Sequence, residues 1–365
     1  MKKFIMQMRP NFGLEEKKAI CDYLDEDGFM TEFKRTALFE KMLADFTGAK
    51  HCIVVNNGTV SLTLAALALN ISHGDEVIVP NYTMIATPNS VKLLGAKPVF
   101  VDVERETLCM DFEKMKLAVT KKTKAIILVT ANGRYPHSGI DQFSNFARIN
   151  GIKLIEDAAQ SLGSYYPNKL HIGTVGEIGS FSFSAPKIIS TGQGGALITN
   201  DDELADKIRK LKDFGRSGGG NDIHDSIGFN FKFTELQACL GIEQLKKLEY
   251  RVNKKKEMYQ KYKDALFDIP DINLFDNDIK NTSPWFIDIT ANKRDDLSKF
   301  LKLKNIGTRE MYGPINKQLA YKIPGSFPVA DYIGQYGLWL PSSVDLSDDE
   351  IDYIADSIRS FYKYQ

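Results

Sequence analysis

From about residue 48 to about residue 200, short β-branched runs alternate with longer stretches of helical character. The runs are Cys52–Val55, Glu76–Val79, Pro98–Val101, Ala125–Val129, Lys153–Glu156, Gly179–Phe183 and Ala196–Thr199. Such alternation predicts βα units, and so a mostly parallel central sheet with helices on both faces. Past Thr199 the pattern changes. Asp201–Phe214 predicts a charged, exposed helix, and Ser217–Asn221 a glycine-rich loop. Thr234–Glu249 is helical, with Leu236, Leu240, Leu245 and Leu248 as its apolar positions. Arg251–Leu266 predicts a lysine-rich helix leading out of the large domain. Beyond it a smaller α+β domain is expected. Its elements are a strand near Trp285–Ile289, a helix over Arg294–Leu303 and a terminal helix over Asp348–Tyr362. The expected division is a large domain over residues 1–250 and a small one over 251–365.

Composition narrows the class without naming it. At 365 residues the chain has room for about two domains, and a 43% apolar fraction is ordinary for a globular enzyme. Lys+Arg and Asp+Glu both count 47, so no global charge points to nucleic acid or an acidic membrane. Cys21, Cys52, Cys109 and Cys239 show no paired spacing, which fits a reducing cytoplasm without structural disulfides. The apolar part of Met1–Pro10 is too short and interrupted for a signal peptide. No run approaches the ~20 residues of a membrane span. No zinc motif is present, the five histidines are scattered, and no metal site is expected. Gly215-Arg216-Ser217-Gly218-Gly219 matches the spacing of a nucleophile elbow, but that elbow must join a strand to a helix. Here a charged helix precedes it and glycines follow, so a hydrolase is set aside.

Three segments carry candidate chemistry. In the first, Phe181 and Phe183 alternate along a strand, Pro186 ends it, and Lys187 follows. Gly192, Gly194 and Gly195 then turn the chain back into a second apolar strand. A desolvated lysine at a strand end has a lowered pKa and is a usable nucleophile for Schiff-base chemistry. In the second, Gly151–Ser161 reads as a short buried strand ending in Asp157. Ligands of open α/β sheets sit at the carboxyl ends of strands. A carboxylate there can hold the ring nitrogen of a pyridine cofactor protonated; a helix N-cap is an equal reading of Asp157. In the third, a β-branched run at Cys52–Val55 meets Gly58-Thr59 and an apolar helix. That places free backbone N–H groups and a helix dipole beside a hydroxyl, which suits a phosphate.

In this order the three segments resemble the DegT/DnrJ/EryC1/StrS sugar aminotransferases, pyridoxal phosphate enzymes of fold type I. Other segments share the likeness. Asp25–Glu32 is similar to the family's amino-terminal Gly-aromatic-Leu-Thr segment, with Met30 in place of Leu. Gly74–Pro80 and Leu94–Val103 match its next two strands. Gly228–Ala238 matches its dimer-contact motif, and Gly307-Thr308-Arg309 through Tyr312–Ile315 its carboxy-terminal substrate region. Ser283-Pro284-Trp285-Phe286 and Thr308-Arg309 are similar to the perosamine-synthase-like branch.

The resemblance implies roles. Lys187 carries pyridoxal 5′-phosphate, Asp157 pairs with the ring nitrogen, and Gln160 contacts the phenolic oxygen. Gly58, Thr59 and Ser182 hold the phosphate, and Asn230 reaches it from the partner subunit of a homodimer with shared active sites. Family members that dehydrate sugars carry His at the lysine position, so Lys187 implies transamination. Where the family usually stacks an aromatic residue on the cofactor, this chain has Met84. A thioether against a ring is worth roughly 0.3–1.5 kcal/mol, comparable to ring stacking; Tyr82 in a shifted register is the alternative. Arg216, Arg309 and Tyr312 are candidates for the sugar or its diphosphate. The implied reaction moves an amino group from glutamate to a nucleotide-linked keto-sugar for surface polysaccharide such as lipopolysaccharide O-antigen. A GDP- or dTDP-4-keto-6-deoxyhexose is the first choice. A 3-keto-hexose and a free keto-octulosonate are the alternatives, and a non-catalytic cofactor-binding regulator is the alternative of another class.

Overall fold

A computed structural model describes residues 4–218 and 222–363. Residues 219–221, within the predicted glycine-rich loop, lie outside the described residues. Among the described residues, eleven strands form two sheets. The large sheet contains β1 (His51–Val55), β2 (Glu76–Pro80), β3 (Lys97–Val101), β4 (Thr123–Val129), β5 (Lys153–Asp157), β6 (Ile178–Ser182) and β7 (Gly195–Thr199), in the order β1-β7-β6-β5-β4-β2-β3. Each predicted run is one of these strands. Pairing is parallel except that β7 runs against both β1 and β6. The reason is local: a tight return, not a helical crossover, joins β6 to β7, and a tight return can only reverse the chain.

The strands read as continuous apolar runs because both faces are buried. Along β4, Ile126 and Leu128 enter one core, and Ala125 and Ile127 enter the other. This is the two-residue alternation of a pleated strand. Helices cover each face. Gly241 of the helix Glu235–Lys246 lies so close to Phe39 that a Cβ would fall 2.6 Å from the ring. Glu235, at the start of that helix, accepts from the backbone N–H groups of Phe33, Arg35 and Thr36 at 2.7–2.8 Å. It thereby caps the helix Lys34–Thr47, which lacks a side-chain cap of its own.

The small sheet has the order β10-β11-β9-β8 and is antiparallel throughout. Its strands are β8 (Ile272–Leu274), β9 (Ile287–Ala291), β10 (Arg309–Glu310) and β11 (Gly337–Leu340). The helix Leu248–Leu266 serves both cores. Leu248 and Val252 pack in the large one, and Met258, Tyr259 and Tyr262 in the small one. The division expected at 250/251 would fall inside this helix.

The helix expected over Thr234–Glu249 spans Glu235–Lys246, the next begins at Leu248 and not Arg251, and two further boundary differences have a local cause. The strand expected near Trp285–Ile289 starts at Ile287. The side-chain amide of Asn132 takes both backbone groups of Phe286, at 2.6 and 2.9 Å, so none is left for a ladder there. The helix expected over Asp201–Phe214 runs from Asp202 to Lys212. Gly215 N–H bonds back to Lys210 at 2.8 Å, and Phe214 is left-handed with φ 56°.

Candidate active site

Lys187 sits in the return between β6 and β7. Phe183 N–H bonds to Gly194 O at 2.8 Å, and Thr191 N–H to Phe183 O at 3.0 Å. Gly192, at φ 80°, supplies the left-handed residue the return needs. The buried guanidinium of Arg251 donates to Ile188 O at 2.9 Å and to Asn11 O at 2.8 Å. The same Arg251 holds Gln244, which accepts from Ser190 N–H at 3.2 Å. The backbone after Lys187 is thus tied to three other segments.

The lysine lines a cavity of about 300 Å³, at the carboxyl ends of the parallel strands. Its side chain is partly open to that cavity and enclosed by protein elsewhere. Burial pushes its pKa down to about 8; Asp157 pulls it up and Arg309 pushes it further down. Enough free amine therefore exists near neutral pH for nucleophilic chemistry.

Asp157 ends β5 and is 5% exposed. Thr87 Oγ1 donates to one carboxylate oxygen at 2.7 Å, and Ala159 N–H to the other at 3.3 Å. Burial raises its pKa; the Thr87 hydrogen bond and the Lys187 charge oppose the rise. No helix begins after it, so the N-cap reading is not realised. An acid with one hydroxyl and one long amide contact still has capacity for a cationic ring N–H.

The helix Gly58–Ala68 opens on the same cavity. Asn57 Oδ1 accepts from Val60 N–H at 2.9 Å, which leaves the N–H groups of Gly58 and Thr59 to the cavity side. A Cβ on Gly58 would lie 2.7 Å from Ser182 Cβ, so glycine is what lets the helix end meet the strand end. Free amides, a helix dipole and the hydroxyls of Thr59 and Ser182 make an anion site.

Gln160 Oε1 accepts from Asn132 N–H at 2.7 Å, which fixes the amide's orientation and leaves its NH₂ as a donor. Met84 is 45% exposed and lines the cavity; Tyr82, at 4%, is buried behind it with its ring 6.0 Å from Tyr312. Tyr312 and Arg309 complete the wall. Pairing of β10 with β11 sets Arg309 opposite Trp339, with the guanidinium 5.4 Å from that ring. No carboxylate pairs with Arg309 among the described residues, so its charge is available to an anion.

Two candidates lie elsewhere in this chain. Arg216 is engaged by Asp213 at 3.0 Å and Asp222 at 2.9 Å. Asn230 is exposed and bridges to Asp213. Three contributors were absent from the sequence reading: Thr87, Asn132 as the partner of Gln160, and Trp285 as a wall of the cavity. Trp285 entered that reading only within the Ser283–Phe286 likeness, with no place at the site; Thr87 leaves a spacing signal. It stands four residues after Thr83, whose hydroxyl it meets at 2.9 Å.

The donor set fits pyridoxal phosphate: a partly desolvated lysine, a buried acid with spare capacity, an oriented amide and a helix-end anion site. Comparisons with known proteins agree. The profile described as the DegT/DnrJ/EryC1/StrS aminotransferase family matches residues 11–359. A GDP-perosamine synthase of Escherichia coli O157:H7 is 35% identical, covering 99% of both chains. A GDP-perosamine synthase of Vibrio cholerae is 32% identical, covering 97% of this chain and 98% of its own. The crystal structure of a DegT DnrJ EryC1 StrS aminotransferase from Brucella abortus superposes with a TM-score of 0.89 at 31% identity, covering 95% of each chain.

Proposed function

The chain belongs to the DegT/DnrJ/EryC1/StrS aminotransferase family, and from that premise we propose that it aminates a GDP-linked 4-keto-6-deoxyhexose, with glutamate as donor. It is a pyridoxal phosphate-dependent sugar transaminase. The bound cofactor supplies an electron sink that acidifies the carbon bearing the transferred nitrogen.

The chain's own residues do the rest. Lys187 would anchor the cofactor, and its amine, once displaced, would take the proton from the donor's α-carbon and, in the second half-reaction, deliver one to the sugar carbon that receives the nitrogen. Asp157 holds the ring nitrogen's proton, and its burial makes that charge pair strong. The Gln160 NH₂ donates to the phenolic oxygen. Gly58, Thr59 and Ser182 hold the phosphate, and Met84 covers the ring face. Arg309 and Tyr312 face the sugar nucleotide, with Arg309 suited to a bidentate phosphate contact.

Asn230, and Arg216 beside it, would serve the neighbouring site in a homodimer. Phe29, Met30, Phe33, Ile223, Ile227 and Phe229 are exposed large apolar residues. Backbone contacts join the first segment to the strip that follows Asn230, Thr31 to Thr234 and Met30 to Glu235. Exposed apolar residues on two segments joined in this way support a two-fold contact. Four free thiols and a nucleotide-linked substrate support a cytoplasmic enzyme that supplies amino sugar for surface polysaccharide.

The observation that carries the chemistry is that Lys187 and Asp157 line one cavity with a helix end. The observation that carries the substrate is the full-length likeness to GDP-perosamine synthases. Following the cofactor's absorbance tests both. Glutamate should bleach the yellow enzyme, and the GDP-linked 4-keto sugar should restore it. Restoration by a free keto-sugar but not by the GDP-linked one would replace the nucleotide reading with the octulosonate alternative.

A further inference from the structure

Trp285 belongs to none of the chemical roles assigned above, yet it lies directly against Lys187. The ammonium nitrogen lies 4.2 Å from the indole centroid, well inside the ~6 Å reach of a cation–π contact. The indole N–H also donates to Pro186 O at 2.7 Å, the carbonyl just before Lys187. One side chain therefore grips both the head and the backbone of the lysine.

The grip is itself held from behind. Lys255 is 1% exposed and forms no ion pair among the described residues. Its ammonium donates to Trp285 O at 2.8 Å and to Ser342 O. Trp285 N–H bonds to Asn132 O at 3.4 Å, and Ser283 N–H to Ser164 Oγ at 2.9 Å. The backbone there runs so close to Gly133 that a Cβ on that glycine would lie 2.3 Å from Ser283 O. Phe286 stacks on the indole at 3.9 Å and Trp339 meets it edge-on at 5.9 Å. The ring is 4% exposed and has few ways to move.

The geometry points to Trp285 as the positioning residue of Lys187, holding the free ammonium at the cavity wall whenever the lysine is not bonded to the cofactor. This rests on Lys187 being the cofactor lysine. In each half-reaction the amine must leave the cofactor, stay within reach and return. A long, flexible side chain loses rotamer freedom when held in one place. A fixed aromatic face offsets that loss without a hydrogen-bond acceptor that would have to be stripped away. Asp157 and Arg309 are the charged groups that also act on Lys187, and Tyr312 lines the same cavity. All three stay unaltered in the test.

The test is capture of pyridoxal phosphate by the full-length chain after its cofactor is stripped, measured against pH. Borohydride and peptide mapping identify the lysine. Trp285→Leu keeps an apolar wall and removes the ring's attraction for the ammonium. The midpoint of capture should fall by about half to one pH unit, a roughly three- to tenfold change in free amine at fixed pH. Trp285→Phe keeps a ring face and should restore most of the midpoint. Because it lacks the N–H to Pro186 O, it should capture more slowly at every pH. Placing fluorinated tryptophans at position 285 weakens the ring face at nearly constant shape. Stepwise lowering of the midpoint along that series is expected even if the leucine variant fails to fold. A midpoint that stays or rises in the leucine variant and the fluorinated series overturns the inference. Equal slowing at all pH in the leucine and phenylalanine variants, with no movement of the midpoint, also overturns it. Mapping to another lysine in the unmodified protein would instead remove the premise, and the inference with it.

Discussion

At the scale of single residues, Asp157 is held by so few groups that its charge must answer to something else in the cavity. Thr87 Oγ1, the Lys187 charge and one long amide contact are what offset its burial. Asp157→Asn keeps the shape and the Thr87 hydrogen bond but removes the charge. Folding should change little, while both half-reactions slow by at least ~10²-fold, the low end of losing one electrostatic or proton-transfer group. Single-turnover absorbance and thermal unfolding check the two halves of that statement. Near-full activity would remove Asp157 from the mechanism. Arg309 offers a sharper division of labour, because its unpaired guanidinium sits among rings rather than carboxylates. Arg309→Ala should weaken the sugar half-reaction much more than the glutamate one. Equal loss in both would assign it to the donor's carboxylate. Lys187, Asp157, Gly58 and Thr59 were legible in the sequence because each stands where a strand meets a turn. The contacts that Thr87, Asn132 and Trp285 make at the site were not. Their partners lie 70, 28 and 99 residues away, at Asp157, Gln160 and Pro186, and only the folded sheet brings them together.

At the scale of elements, the strands of the large sheet were legible because both of their faces are apolar. The direction of β7 follows from the glycine return before it. Strands β8, β10 and β11 escaped the sequence because they are short. Their pattern makes sense only once Tyr259, Tyr262 and the terminal helix Asp348–Lys363 cover them. One loop in the large domain carries a pH signature. His171, 2% exposed, accepts Gly163 N–H on Nε2 at 2.9 Å and places Nδ1 2.7 Å from Ile172 O. That pairing needs the neutral ring with its proton on Nδ1. Burial accordingly lowers its pKa to about 4. The unfolded chain takes up this proton below about 6.5, whereas the folded one does so only near 4. Stability from this group is thus complete above about 6.5 and falls as pH drops toward 4, by about 3 kcal/mol in all. Denaturant midpoints from pH 7 to 4 should show that loss in the wild type. His171→Asn should flatten the part it contributes; an unchanged slope would contradict the assignment.

At the scale of the whole molecule, the residues that leave this chain's own cavity are those expected to enter a neighbour's. Mixing Lys187→Ala chains with Asn230→Ala chains tests the arrangement. In a mixed dimer both lesions can fall in one site and leave the other intact, so activity should reappear. No recovery, with mixed dimers shown to form, would mean that each chain completes its own site. The exposure of apolar residues such as Phe29 and Phe229 gave little warning in the sequence, because exposure is a property of the folded surface and not of a hydrophobic run. Among the described residues no helix is long and apolar enough to cross a membrane. The central claim, that this chain moves an amino group onto a nucleotide-linked keto-sugar, is tested most directly by tracing the nitrogen. The chain, loaded with pyridoxal phosphate, is given glutamate with an isotopically labelled amino group and a GDP-linked 4-keto-6-deoxyhexose, and the sugar nucleotide is weighed by mass spectrometry. The account predicts labelled nitrogen in the sugar, with 2-oxoglutarate formed in equal amount. A sugar nucleotide that gains no label, while another keto-sugar does, would contradict it.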